Sequence, residues 1–208
     1  LDASSLTAED RAALASCGIA YTRDGTAYRL QVRLAKPDDA AAVSELAART
    51  FPDACPSSLP AEAIEEHIVT QLSPTVFEAV ISSPEEHRLF VAEVEGTLVG
   101  YVLTHVGAHA LPGDLVRPGR VEEGSAYLSK CYVDEECRGS GIADALIERA
   151  LADAGEAGHT SIVLGTNRGN KSAQAFYKRH GFRKRSSRTF DVGGVRNYDV
   201  VMVRDLTA

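Results

Sequence analysis

Residues 125–154 read SAYLSKCYVDEECRGSGIADALIERALADA, and the fold turns on this stretch. Tyr127 to Val133 alternates as a strand, Asp134 to Cys137 is a short acidic connection, and Arg138-Gly139-Ser140-Gly141 is a turn of small residues. A helix follows, in which Ile142, Leu146, Ala150 and Ala154 lie four apart, with Ala143, Ile147 and Leu151 beside them as one apolar face. A strand therefore hands over directly to a helix. At the junction Gly139 and Gly141 leave the backbone uncovered, so the unpaired N–H groups of the first helical turn can face an anion at the positive end of the helix dipole. Such a junction suits a diphosphate.

Two common phosphate loops do not fit. A triphosphate-binding loop closes its glycine run with Gly-Lys-Ser/Thr, and a dinucleotide fold wants a third Gly where this chain has Asp144. What the loop does match is R-x-x-G-x-A, from Arg138 to Ala143. Further on, Leu164 to Phe182 (LGTNRGNKSAQAFYKRHGF) carries N-x-x-A-x-x-F-Y-x-x-x-G-F, filled by Asn170, Ala173, Phe176, Tyr177, Gly181 and Phe182. Separated by one helix and one strand, the two blocks resemble the acetyl-CoA site of the GNAT superfamily of N-acetyltransferases, from about Arg29 to Leu206.

The resemblance implies an α/β (α+β) fold. Its centre would be a mixed, mostly antiparallel twisted sheet of six to seven strands, splayed at the acetyl-CoA site and flanked by about four helices. Residues 1–27 would be an N-terminal helical extension and 28–208 the acetyltransferase domain. The resemblance also implies roles. Arg138 and the amides of Gly139, Ser140, Gly141 and Ala143 would hold the pyrophosphate of acetyl-CoA, and the backbone of Cys131, Tyr132 and Val133 would pair with the pantetheine arm, the Val133 N–H polarising the thioester carbonyl. Asn170 would reach the pantetheine or acyl end, a role compatible with capping its own helix. Tyr177 would protonate the departing thiolate; a phenol near pKa 10 is a fitting donor to a thiolate of similar basicity.

The base is not assigned. Many relatives carry a Glu eleven or nine positions ahead of the residue matching Arg138, where this chain has Tyr127 and Ser129, on the same strand face as Cys131 and Val133 by the two-residue period. A base acting through water, Glu122, Glu123, His105 or an acceptor amine that arrives neutral all stay open.

A chain of 208 residues suits one domain with a sizeable core. No apolar run approaches the ~20 residues of a membrane-spanning helix, and the N-terminus, with Asp2, Glu9 and Asp10, lacks the order of a secretory signal, so a cytoplasmic location is expected. Four cysteines, at 17, 55, 131 and 137, lack metal or disulfide-scaffold spacing and read as free thiols. Cys137 would be reactive only if the helix N-terminus lowered its pKa, and an incidental small residue is the favoured reading. His105 and His109 lie four apart without further ligands at fixed spacing, so no metal is expected.

The net charge of −7 hides an asymmetry: residues 1–137 carry −12 and residues 138–208 carry +5. The half with the phosphate loop is basic and the other half would attract a cationic acceptor, although a plain solvated acidic face explains it as well. Binding of nucleic acid, and with it acetylation of charged tRNA, is disfavoured.

Taken in order, Thr7-Ala8-Glu9-Asp10 has the form of a capping box ahead of a helix that Cys17-Gly18 ends, an appendage or a tail. Tyr28 to Leu34 reads as a strand, Lys36 to Phe51 as a helix, and Phe51 to Pro60, with three prolines, as a surface loop that cannot be helix. Ala61 to Leu72 is a second helix with Glu62, Glu65 and Glu66 largely on its polar face, and 73–84 adds a short helical piece. Leu89 to Val106 forms a hairpin about Glu95-Gly96, 107–124 is a long loop suited to acceptor specificity, and 183–206 closes the chain with a strand pair.

Within the superfamily the nearest resemblance is to bacterial polyamine N-acetyltransferases of the spermidine/spermine type, carried by the Thr50-Phe51 region, the Leu164 to Phe182 block and the strands from Phe190 to Met202. It implies a small-molecule amine acceptor. A protein N-terminal or lysine amine, and a non-catalytic acyl-CoA-binding sensor, are the alternatives. The oligomeric state, a homodimer included, is open.

Overall fold

The computed structural model describes residues 5–21, 25–56, 59–108, 110–113, 115, 124–192 and 195–206. Its strands are β1 (Ile19–Tyr21), β2 (Ala27–Leu34), β3 (His87–Val94), β4 (Thr97–His105), β5 (Ala126–Val133), β6 (Ser161–Asn167), β7 (Arg183–Val192) and β8 (Val195–Asp205). Its helices are α1 (Ala8–Ser16), α2 (Ala40–Ala54), α3 (Ala61–Gln71), α4 (Pro74–Ile81), α5 (Ile142–Glu156) and α6 (Lys171–Arg179). The strands form one sheet in the order β1-β2-β3-β4-β5-β6-β8-β7. Every pairing is antiparallel except β5 with β6, the one pair joined by a helical crossover, α5.

Eight strands and six helices exceed the six to seven and four expected. The extra strand is β1, which lines up on β2 from Ile19↔Arg29 to Tyr21↔Ala27 because α1 ends at the Cys17-Gly18 turn and feeds the chain back. Helix α1 opens with the expected capping box, Thr7 Oγ1 accepting from Asp10 N while the Asp10 carboxylate accepts from Thr7 N at 2.8 Å. It then packs on α5, Ser16 Oγ donating to Glu148 at 2.6 Å. A second difference is at Pro52, which lies within α2 although Phe51 to Pro60 reads as loop. A proline in the last turn removes only a bond near a frayed end, and Cys55 N then closes the helix on Pro52 O.

The sheet is covered on both faces. On one, α2 and α4 bury Val43, Leu46 and Phe77 against Val91, Tyr101 and Leu103. On the other, α5 buries Leu146 and Ile147 with Phe90, Val102 and Ile162, joined by Ala15 of α1 and Tyr177 of α6. Between Leu103 and Thr104 the register of β4 with β5 shifts, pairing Leu103 with Lys130 and Thr104 with Leu128 and leaving Ser129 as an extra residue. This bulge corrects the two-residue reading of β5: Leu128, Cys131 and Val133 share the α5 face, whereas Tyr127 packs with Leu115, Val163 and Val201 on the other.

Beyond the bulge the sheet opens. β5 and β6 pair only from Ala126↔Ile162 to Leu128↔Leu164, although both strands continue for several residues. Asp134 N donates to Val99 O at 2.8 Å, so in the alternation of an antiparallel ladder the N–H and C=O of Val133 face away from β4, into the gap. Among the described residues no helix is long and apolar enough to cross a membrane.

Candidate active site

The gap between β5 and β6 leads to the start of α5. Asp134 accepts from Glu136 N at 3.2 Å and starts a tight turn over Glu135–Cys137, after which the chain reverses through Gly139 (φ +82°) and Gly141 (φ +89°). Gly141 is the N-cap of α5 and supplies no side-chain acceptor, so the first-turn amides are left for an external partner. A Cβ on Gly139 would meet nothing within 4 Å, whereas one on Gly141 would run into the carbonyl of Arg11 in α1. Ser140 is buried, its hydroxyl bonded to Cys137 O at 2.5 Å and its N–H to the same oxygen at 3.3 Å. Of the expected loop amides, that of Ser140 is therefore already engaged.

Arg138 lies across the cleft. Its Nε donates to Val133 O at 3.2 Å and its Nη2 pairs with Asp53 of α2 at 2.6 Å, while Arg49 of α2 reaches Asp134 at 2.9 Å. On the far wall Asp144, in the first turn of α5, pairs with His180 at 2.8 Å and ties α5 to the end of α6. A cavity of about 520 Å³ runs between these walls, lined by Val133, Arg138, Gly139, Gly141 and Ala143 and, deeper in, by Asn170 and Tyr177. Cys137 also lines it, but burial and the neighbouring Asp134 and Glu136 raise its thiol, opposite to what reactivity needs.

Tyr177 and Asn170 stand where this cavity meets a second one of about 240 Å³; Cys131 and Tyr132 also line both. Asn170 caps α6, its Oδ1 accepting from Ala173 N at 2.9 Å. The Tyr177 ring packs edge-on against Phe176 and Phe182, with centroids 5.2 and 5.5 Å away. Burial drives its phenol well above the ordinary range, with the Cys131 and Tyr132 groups adding to the shift, so its proton is firmly held. Burial also pushes the Cys131 thiol up to about 12.

The second cavity contains residues outside the two motif blocks. Phe51 stacks on His67 with ring centroids 4.5 Å apart, and Lys130, Asn197 and Asp199 are among its polar lining. Asn197 and Asp199 are both buried and two apart on β8, so they share a face, and Arg188 of β7 holds Asp199 through Nε and Nη2, each at 3.1 Å. That pair fits because β6 has Gly165 opposite: a Cβ there would lie 2.8 Å from Arg188 and 2.9 Å from Asp199. The sequence signal was an acid at the head of an otherwise β-branched strand, DVVMV, but its depth depends on pairing with β6.

The base candidates fare differently. The Tyr127 hydroxyl accepts from Arg188 Nη2 at 3.3 Å on the opposite face from Cys131, and Ser129 sits in the bulge beside Lys130. His105 lines a third cavity of about 450 Å³ instead, and burial, aided by the charges of His87 and Lys130, lowers its pKa to about 4. Glu122, Glu123 and His109 lie outside the described residues. Among the described residues no group of three His, Cys, Asp or Glu side chains could hold a metal ion.

Comparison with known proteins bears on this architecture. Residues 41–182 match the profile described as the Acetyltransferase (GNAT) family. An uncharacterized N-acetyltransferase of Mycobacterium tuberculosis H37Rv is 34% identical over 168 residues, covering 81% of this chain and 98% of that protein. Human N-acetyltransferase 8B is 35% identical over 103 residues, 50% of this chain and 41% of that one. Among solved structures, the PaiA N-acetyltransferase of Thermoplasma acidophilum in complex with coenzyme A superposes with a TM-score of 0.67 at 18% identity, covering 85% of this chain and 98% of that one. The ribosomal-protein-S18-alanine N-acetyltransferase of Escherichia coli gives 0.60 at 16% identity over 86% and 95%.

Proposed function

The chain belongs to the GNAT family of acetyltransferases, and is an acetyl-CoA-dependent acyltransferase; we propose that it moves the acetyl group to the primary amine of a small acceptor by direct attack, with Tyr177 as general acid. The observation that carries this reading is the position of Tyr177, on the wall common to the phosphate-loop cavity and the smaller cavity beside it.

The residues fit the co-substrate. Open first-turn amides at a glycine-lined helix start, with Arg138 alongside, suit a diphosphate. The roles proposed are these: Arg138 and the amides of Gly139, Gly141 and Ala143 hold the phosphates, with Ser140 shaping the loop. The N–H and C=O groups of Cys131 and Val133 line up the pantetheine arm in the strand gap, Tyr132 between them bonding β4 and lining the cleft, the Val133 N–H facing the thioester carbonyl, and Asn170 offers its side-chain N–H. Acetyl-CoA supplies the activated acyl group; the new C–N bond forms as the C–S bond breaks, and the sulfur takes the Tyr177 proton. No carboxylate stands at 127 or 129, and Asp199 is already engaged by Arg188, so the amine proton is assigned to water entering the cleft.

A polyamine acceptor would be the finer reading from the sequence resemblance. The described lining offers it little, since its one carboxylate is Asp199. The test is release of thiol from acetyl-CoA with a panel of small amines and peptides, followed for Tyr177→Phe. The variant should lose about 10²-fold or more in kcat while acetyl-CoA binds as before. Unchanged kcat would remove Tyr177 from the chemistry, and absence of any turnover, with acetyl-CoA still raising the Tm, would favour the sensor.

A further inference from the structure

We propose that the acceptor carries a carboxylate as well as its amine, and that Lys130 is the residue that recognises the carboxylate; this rests on the acetyltransferase reading above. Lys130 follows the bulge of β5 and forms part of the wall between the 240 Å³ cavity and the 450 Å³ cavity. Its one hydrogen-bond partner among the described residues is Ser129 Oγ, at 3.5 Å, the limit of such a contact. No carboxylate of a described residue lies within ion-pair distance of it.

Among the described residues, part-buried Arg204 donates to the His180 carbonyl, and three other part-buried arginines are paired with carboxylates. Arg33 has Asp39 at 2.6 Å and Glu93 at 2.7 Å, Arg88 has Asp153 at 3.3 Å, and Arg188 has Asp199 at 3.1 Å. A cation taken out of water without a partner is costly, and Lys130 accordingly has its pKa lowered by burial with nothing to offset the loss. Its surroundings add no negative charge. His67 on α3 and His105 on β4 flank it; both are pushed toward neutrality, His67 by burial and then the Lys130 charge, His105 by burial, then His87, then Lys130. Asp199 is the one carboxylate on the described lining of the smaller cavity, and Arg188 balances it.

With Arg188 counted behind Asp199, the site thus has one positive charge in excess. A polycation would add to that charge, whereas a molecule with one amine and one carboxylate would cancel it and leave the amine to be presented toward Tyr177. A single unpaired ammonium matches a monoanion, which favours a carboxylate over a phosphate ester. The volume of about 240 Å³ suits a molecule of amino-acid size.

The experiment compares matched acceptors: each free α-amino acid, its carboxamide, and the amine left when the carboxylate is removed, with spermidine as the polycation. Thiol release from acetyl-CoA is followed for wild type, Lys130→Met and Lys130→Arg. For at least one set, wild type should prefer the carboxylate by about tenfold or more in kcat/KM, mainly through KM. Lys130→Met should bring the members of that set near parity, and Lys130→Arg should keep part of the preference. Stabilisation by acetyl-CoA, read as a shift in Tm, confirms that each variant is folded with its cofactor site intact. Preference for carboxamides, plain amines or spermidine overturns the proposal alone, as does a preference that persists in Lys130→Met. Silence toward every member of every set overturns the small-acceptor reading with it.

Discussion

His105 shows how far one buried side chain can tie this fold to pH. Its ring lies edge-on to His87, with centroids 4.7 Å apart, near the Lys130 ammonium, and its pKa falls from 6.5 to about 4. The folded protein therefore holds it neutral while the unfolded chain protonates it near its ordinary pKa. Because the folded value is the lower one, this contribution is complete above about pH 6.5 and is lost as the pH falls toward 4, for ~3 kcal/mol in all. Denaturant midpoints measured from pH 7.5 down to 4 should fall more steeply for wild type than for His105→Gln; parallel curves would show that the ring is solvated. Legibility at this scale was uneven. Tyr177 and Asn170 stand in a motif of fixed spacing, which marked them out before their place on the cavity walls was known, whereas Lys130, Asp199 and Arg188 come together only through the bulge at Ser129 and the β8 pairing.

At the scale of elements, the start of α5 holds the site together. Gly141 turns through a left-handed conformation directly against the Arg11 carbonyl of α1, and Asp144 one turn on anchors His180 and so the helix that carries Tyr177. Gly139 adopts a similar φ with open space around it. Gly139→Ala should therefore cost only the left-handed strain, ~1–2 kcal/mol, while Gly141→Ala adds a collision with α1 and should cost clearly more and weaken acetyl-CoA binding. Equal losses in denaturation midpoint would mean that α1 does not bear on the loop. Strands and helices with strong periodicity were legible: β5, α5 and the hairpin about Glu95, whose φ of +49° and the +83° of Gly96 turn the chain back. Two local rules misled. A proline is tolerated in the last turn of α2, and a bulge interrupts an alternation that looks unbroken in the letters.

For the molecule as a whole, the single parallel pair follows from one helical crossover between β5 and β6, and a mixed, mostly antiparallel sheet was legible through the family resemblance. How far the two strands part was not readable, because pairing over three residues is a balance of packing by α5, α6 and α2 around the cleft rather than a property of any segment. The place of α1 was equally hidden: a nine-residue helix with a good cap could hang free, and only its seat on α5 brings it against the glycine loop. That parting carries the functional account, since it turns peptide groups of β5 toward a cleft that runs from the glycine loop to Tyr177. The most direct measurement is a crystal structure with coenzyme A bound. Diphosphate oxygens should lie within about 3.2 Å of the amide nitrogens at Gly139, Gly141 or Ala143, with the sulfur within about 4 Å of the Tyr177 hydroxyl. A diphosphate bound away from that helix start, or a Tyr177 hydroxyl turned from the sulfur, would contradict the account.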